Sequence, residues 1–192
     1  MLFSSRSETH AVTLLKKDHR LVEKLFSECE QAEDNATKVE LVTQICQALT
    51  VHAEIEETIF YPRAMRALGA EDDELVREAA VEHGTLKGLI AQLNGATPRN
   101  AMFDAYVKVL KEYVQHHVKE EENELFPKVE ATDLDLEALG QELFELKQKL
   151  ESRVADQAKP SKSTVVVVDF TDQRSTRDSQ SRSSRGGSAR AA

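Results

Sequence analysis

No stretch of this 192-residue chain approaches the ~20 consecutive apolar residues that a helix needs to cross a bilayer, so a membrane-spanning segment is not expected. The opening MLFSSRSETH also lacks the apolar centre of a secretory signal, which makes the expected address cytoplasmic. Cysteine is scarce. Cys29 and Cys46 are too few and too far apart for a disulfide framework or a cysteine-type metal site, and both read as reduced filler. Basic residues are outnumbered, 25 against 34 acidic ones for a net charge of −9, which argues against a core that binds nucleic acid. The deficit is uneven: residues 159–192 hold seven basic and three acidic side chains, leaving 18 against 31 in the rest.

What is present fits one ordinary core, with 40% hydrophobic and 31% charged residues. Residues 159–192 are rich in Ser, Arg and Gly and hold one short apolar patch, Val165 to Val168, so they bury too little to offset chain entropy and read as a disordered basic tail. That patch is either an isolated β-prone scrap or a short motif for a protein partner. Upstream, breaks near Asp34 to Thr37, at Gly69, at Asn94 to Pro98 and around Ala131 to Asp133 separate five helical segments. The expected fold class is all-α: an up-down antiparallel four-helix bundle over residues 1–130, an additional amphipathic helix over 131–158, then the tail.

The helical stripes carry the argument. Leu15, His19, Val22, Phe26 and Cys29 recur at steps of four and three, as do Val76, Ala79, His83, Leu86, Ile90 and Leu93. The second helix runs Val42, Ile45, Leu49, then His52 and Glu56 where two more aliphatic residues belong. Sliding it by 65 positions lays it on the fourth, with His52, Glu56, Phe60, Tyr61 and Pro62 on His117, Glu121, Leu125, Phe126 and Pro127. Sliding the first helix by 64 sets His19 on His83 and Val22 on Leu86. Two helical hairpins therefore repeat one plan, a lone histidine followed by His-x3-Glu.

Four histidines and two glutamates thus occupy core-facing positions. Buried polar groups without partners cost a few kcal/mol each, and unpaired charges cost more. The spacing of four places His52 and His117 about 6 Å along the axis from Glu56 and Glu121, so the side chains of one face converge on a point inside the bundle. A pair of metal ions there compensates all six. Imidazole with carboxylate suits iron, manganese or zinc, and the lack of cysteine ligands argues against structural zinc. Glu57 and Glu122 adjoin the glutamates with no basic partner on the same stripe, an excess of negative charge that suits cations.

On these residues the chain resembles the hemerythrin-like HHE cation-binding family, whose pattern is His, His-x3-Glu, His, His-x3-Glu. The resemblance covers about residues 7–130, including LLKKDHRLVEKLF, VEHGTLKGLI and the two aromatic-proline endings. It implies two iron ions, oxo- or hydroxo-bridged, with His19, His52, His83 and His117 as terminal ligands and Glu56 and Glu121 as bridges. Hemerythrins that carry oxygen reversibly have a further histidine one turn from that of the third helix and end in His-x4-Asp. Here Ala79 and Lys87 flank His83, so about two of roughly twelve coordination positions stay open. The resemblance then implies a redox or oxygen sensor or a protective, catalase- or peroxidase-like protein that binds or consumes O2, peroxide or nitric oxide. The alternative is an iron-sensing module signalling through its tail or fifth helix; reversible carriage is disfavoured.

Other residues carry lesser expectations. Asp18, Glu82 and Glu120 stand close enough in sequence to orient ligating rings, and solvated side chains are the expected outcome. Tyr113 is expected to fill the core, His116 to lie on a flank, and His10 to face away. Pro62 and Pro127 are expected to end or kink their helices. Leu136, Leu139, Leu143, Leu146 and Leu150 form a heptad stripe expected to pack in cis, with a homodimer as the alternative.

Overall fold

The computed structural model describes residues 10–69 and 73–157. The expectations for the tail, including Val165 to Val168, fall outside the described residues.

Helix α1 spans Ala11–Gln31. The second rod consists of α2 (Asn35–Ile55), a π-helical turn (Glu56–Phe60) and α3 (Tyr61–Leu68). Helix α4 spans Glu74–Leu93, and the fourth rod repeats the second with α5 (Phe103–Glu120), a π-turn (Glu121–Leu125) and α6 (Phe126–Glu130). Helix α7, Leu136–Gln157, follows. The first four rods form the antiparallel bundle, and every described element is helical.

The breaks have local causes. Asp34 caps α2, its Oδ1 accepting from the Ala36 and Thr37 N–H groups at 2.9 Å each, a cap that contributes about 1 kcal/mol. Gly69 closes α3 at φ 73°, a left-handed conformation open to glycine without steric cost, and its N–H reaches Met65 O. Asp135 Oδ1 accepts from the Ala138 N–H to start α7.

Neither proline ends its rod, which leaves the ending half of the sequence expectation unmet. Tyr61 N–H bonds to Glu56 O and Phe126 N–H to Glu121 O, five residues back, so each chain is already wider by one residue when the proline arrives. Pro62 and Pro127 then sit in the first turn of α3 and α6, where the missing N–H costs little.

The core has two apolar parts. One gathers Leu15, Ile55, Phe60, Leu125, Phe126 and Leu143 among others, and the second gathers Val22, Phe26, Ile45, Leu86, Leu110 and Val114 among others. Each rod passes from one cluster to the other, and each carries a histidine at the crossing: His19 falls between Leu15 and Val22, His52 between Leu49 and Ile55. A polar layer therefore divides the bundle between two apolar ends.

Helix α7 packs in cis. Leu139 and Leu143 are buried in the first cluster, Leu136, Leu146 and Leu150 pack against it, and Lys147 and Arg63 tie the helix through Asp18 and Glu142. The leucine stripe is thus used within the chain. Truncating Leu143, fully buried, leaves a cavity, so Leu143→Ala is expected to lower stability by about 2–5 kcal/mol. Urea unfolding in the presence of a chelator checks this; a loss below 1 kcal/mol, on the order of a surface substitution, would contradict the packing.

Candidate metal centre

The structure brings all six sequence-predicted residues together. His19 comes from α1, His52 from α2, His83 from α4 and His117 from α5, while Glu56 and Glu121 each open a π-turn. All are buried, Glu56 completely. The extra residue of each π-turn lets the glutamate face inward while the aromatic end of the same segment still packs in the core.

Two histidine pairs meet tip to tip. His19 Nε2 lies 3.1 Å from His52 Nε2, and His83 Nε2 lies 3.0 Å from His117 Nε2. Each carboxylate spans the two pairs. Glu56 Oε2 is 3.1 Å from His52 Nε2 and 3.4 Å from His83 Nε2; Glu121 Oε2 is 3.2 Å from His19 Nε2 and 3.6 Å from His117 Nε2. The donors fall into two overlapping groups, His19 with His52, Glu56 and Glu121, and Glu56 with His83 and His117, each with its ligand atoms within 4.8 Å of one another.

The outer ring nitrogens explain why the inner ones converge. His19 Nδ1 faces Glu122 at 2.8 Å, His83 Nδ1 faces Glu57 at 3.1 Å, His117 Nδ1 faces Glu82 at 2.7 Å, and His52 Nδ1 faces Asp18 at 3.6 Å. A carboxylate acceptor holds the ring proton on Nδ1 and turns the Nε2 lone pair inward. Four lone pairs and two carboxylates then point at one another, and both Glu56 oxygens and Glu121 Oε2 are buried without a hydrogen-bond partner. Such a donor set fits cations, because among the described residues no Lys or Arg side chain reaches the inner face it surrounds.

The electrostatics agree. Burial, and then the neighbouring Glu121 charge, pushes the Glu56 carboxyl well above its usual range. Burial acts on Glu121 too, but the His117 and His19 rings outweigh it and hold that carboxyl below the ordinary value. Burial and the facing His117 ring push His83 down to about 3, and burial also lowers His52. For His117 burial is outweighed by Glu121 and Glu82, and its pKa rises.

Several expectations change. Asp18 and Glu82 are buried against ligand-position rings, not solvated, because α7 covers one and α5 the other. Glu57 and Glu122 do have basic partners, Lys87 at 2.6 Å and Arg20, which lie on neighbouring helices and so escape a stripe read along one helix. Glu120 faces His116 at 3.2 Å, away from the inner rings. Tyr113 packs half-buried in the second apolar cluster, His116 is exposed, and His10 precedes α1 outside the layer.

Sequence reasoning missed Tyr61. Its hydroxyl donates to Glu121 Oε1 at 2.8 Å and lies 3.3 Å from His83 Nε2, and burial with the adjacent carboxylates raises its pKa well above the ordinary value. The duplication held the signal: Tyr61 aligns with Phe126, which stacks on His19 at 5.8 Å, so the repeats differ here by one hydroxyl. An apolar cavity of about 20 Å3 runs beside the rings, lined in part by Val22, Leu49, Leu86 and Val114.

A helical bundle with a buried layer of histidine and carboxylate donors defines a class of cation-binding protein. The profile of the Hemerythrin HHE cation binding domain matches residues 10–129, and the chain belongs to that family. It is 30% identical over 157 residues to a DNA nickase of Nostoc sp., covering 81% of this chain and 44% of that protein. It is 27% identical over 114 residues to an uncharacterized hemerythrin-like protein of Schizosaccharomyces pombe, covering 59% of this chain and 56% of that one. The chain thus spans about half the length of these curated relatives. The crystal structure of a hemerythrin HHE cation-binding domain-containing protein from Mycobacterium kansasii superposes with a TM-score of 0.65 at 22% identity, covering 78% of this chain and 93% of that one, and so shares the fold.

Tyr61→Phe removes the donor to a buried carboxylate oxygen. The variant is expected to lose about 1–3 kcal/mol of stability in chelator, read by urea unfolding, and an unchanged midpoint would contradict the hydrogen bond.

Proposed function

We propose that the protein holds two iron ions between the histidine pairs, with His19, His52, His83 and His117 as terminal ligands and Glu56 and Glu121 as bridging carboxylates. It binds or consumes O2, peroxide or nitric oxide there, as a sensor or a protective enzyme. One observation carries this reading: two histidine pairs with inward lone pairs, linked by two carboxylates that each reach one ring of either pair through an Oε2 without a hydrogen-bond partner. Iron would supply electrons and an open coordination position; manganese or zinc satisfies the same donors without altering the protein's part.

The chain's own residues supply the rest. Asp18, Glu57, Glu82 and Glu122 hold the rings in orientation. The Tyr61 hydroxyl is a proton donor beside Glu121 and His83. The cavity of about 20 Å3 beside the rings has room for a ligand of two or three atoms.

Elemental analysis after anaerobic loading with Fe(II) and passage over a chelating resin that strips loosely held metal is expected to give two ions per chain, and His117→Ala at least one fewer. Retention of two in that variant would contradict the ligand assignment. Exposure of the loaded protein to air is expected to change its optical spectrum. Rapid peroxide loss with O2 release supports the enzyme; no turnover with a large iron-dependent rise in melting temperature supports a sensing module.

The similarity to a DNA nickase extends beyond the matched domain and supports a second reading, action on DNA. The acidic balance of residues 1–158 opposes it, and the basic residues concentrate in 159–192. Incubation of iron- or manganese-loaded protein with supercoiled plasmid is expected to leave the plasmid closed. Accumulation of the open circular form, lost in His117→Ala, would favour the second reading.

A further inference from the structure

Three of the four carboxylates behind the histidine rings are matched by a cationic side chain: Asp18 by Lys147, Glu57 by Lys87 and Glu122 by Arg20. Among the described residues, Glu82 meets only imidazoles. Its Oε2 faces His117 Nδ1 at 2.7 Å, and its Oε1 faces His116 Nε2 at 3.6 Å. The duplication predicts no such outer imidazole, since the residue aligned with His116 is Val51.

The fourth rod carries His-x3-Glu twice in overlapping register. His117 with Glu121 turns inward; His116 with Glu120, one residue earlier, is rotated by about 100° toward the surface beside α4. His116 Nε2 lies 3.2 Å from Glu120 Oε1, and with Glu82 the three ligand atoms fall within 4.8 Å of one another. Donors about 2.1 Å from one ion sit roughly 3.0–3.4 Å apart, so small side-chain adjustments close this triangle on a cation.

The triangle also leads inward. Glu82 is 8% exposed while the His116 side chain is 58% exposed, so the cluster runs from solvent into the bundle. Against it lies a cavity of about 10 Å3 whose lining includes Glu78, Glu82 and Glu120 together with His117 and Glu121. His117 and Glu121 thus belong both to this cavity's lining and to the inner layer, where Glu121 Oε2 faces the His19 and His117 Nε2 atoms.

We propose that Glu82, His116 and Glu120 form an outer site for one divalent transition cation, and that this site loads the buried centre. Imidazole with two carboxylates suits Fe(II), Mn(II) or Zn(II), and partial exposure leaves water in the remaining positions. The ion is therefore held more loosely than one in the buried layer, as a loading site requires. The loading role rests on the reading of the inner cluster as a cation centre; binding at the outer triangle does not.

The test compares the full chain with a His116→Ala/Glu120→Gln double variant, both stripped of metal. Equilibrium dialysis against Zn(II) with elemental analysis is expected to find one ion fewer per chain in the variant. Stopped-flow uptake of Co(II) into the inner layer is expected to be about tenfold slower in the variant, with the same final inner occupancy. Equal Zn(II) counts would overturn the outer site, as would a His116 that serves only as an ion-pair partner. A lower count with an unchanged uptake rate would overturn the loading role. If wild type holds a single ion that the double variant loses, the outer site stands and the inner di-metal reading fails.

Discussion

Two carboxylates and four imidazoles share one buried layer, and the rest of the bundle is arranged around the cost of putting them there. Glu56 and Glu121 sit at 0% and 1% exposure with three oxygens lacking hydrogen-bond partners, in an interior where an unpaired charge is expensive. Apolar clusters above and below anchor each rod on both sides of the crossing and hold the layer in the interior. A cation at the centre compensates such a layer, and the raised pKa of Glu56 shows the same cost acting on the polypeptide alone.

The duplication makes the layer possible with few instructions. Each hairpin lends its partner-facing carboxylate across a helix boundary: Asp18, next to His19, serves His52, and Glu82, next to His83, serves His117. Likewise Glu57, next to Glu56, serves His83, and Glu122, next to Glu121, serves His19. Every ring is thereby oriented by a residue adjacent in sequence to a different donor. The departures from twofold symmetry lie where chemistry differs: Tyr61 against Phe126, and His116 against Val51. Both bear on the second histidine pair, which lies beside Tyr61 and behind which Glu82 faces the surface cluster.

The π-turns and helix α7 serve the same layer. An extra residue after Glu56 and after Glu121 keeps the following aromatic residues in the core and lets the prolines enter a fresh helical turn. Helix α7 buries Leu139 and Leu143 against the apolar end of the bundle and brings Lys147 to Asp18, covering a carboxylate that would otherwise meet water. Helix α7 thus covers the carboxylate behind His52, as α5 covers Glu82 behind His117.

The amino-acid pattern alone determined the helices, the internal repeat and the six donors, because periodicity and spacing along a helix fix which side chains share a face. His52 above Glu56 and His117 above Glu121 follow from a step of four, and the lone His19 and His83 follow from their stripes. Only the tertiary structure decided which carboxylate stands behind which ring, since those partners come from other helices and their distances depend on packing angles. It alone decided that Tyr61 reaches Glu121 and that the prolines follow π-turns, because a one-residue insertion in hydrogen-bond register leaves no mark in a hydrophobic pattern. The placement of α7 was likewise a tertiary matter: a leucine stripe states that a face will be buried, while the surface that buries it is set by the shape of the bundle it meets.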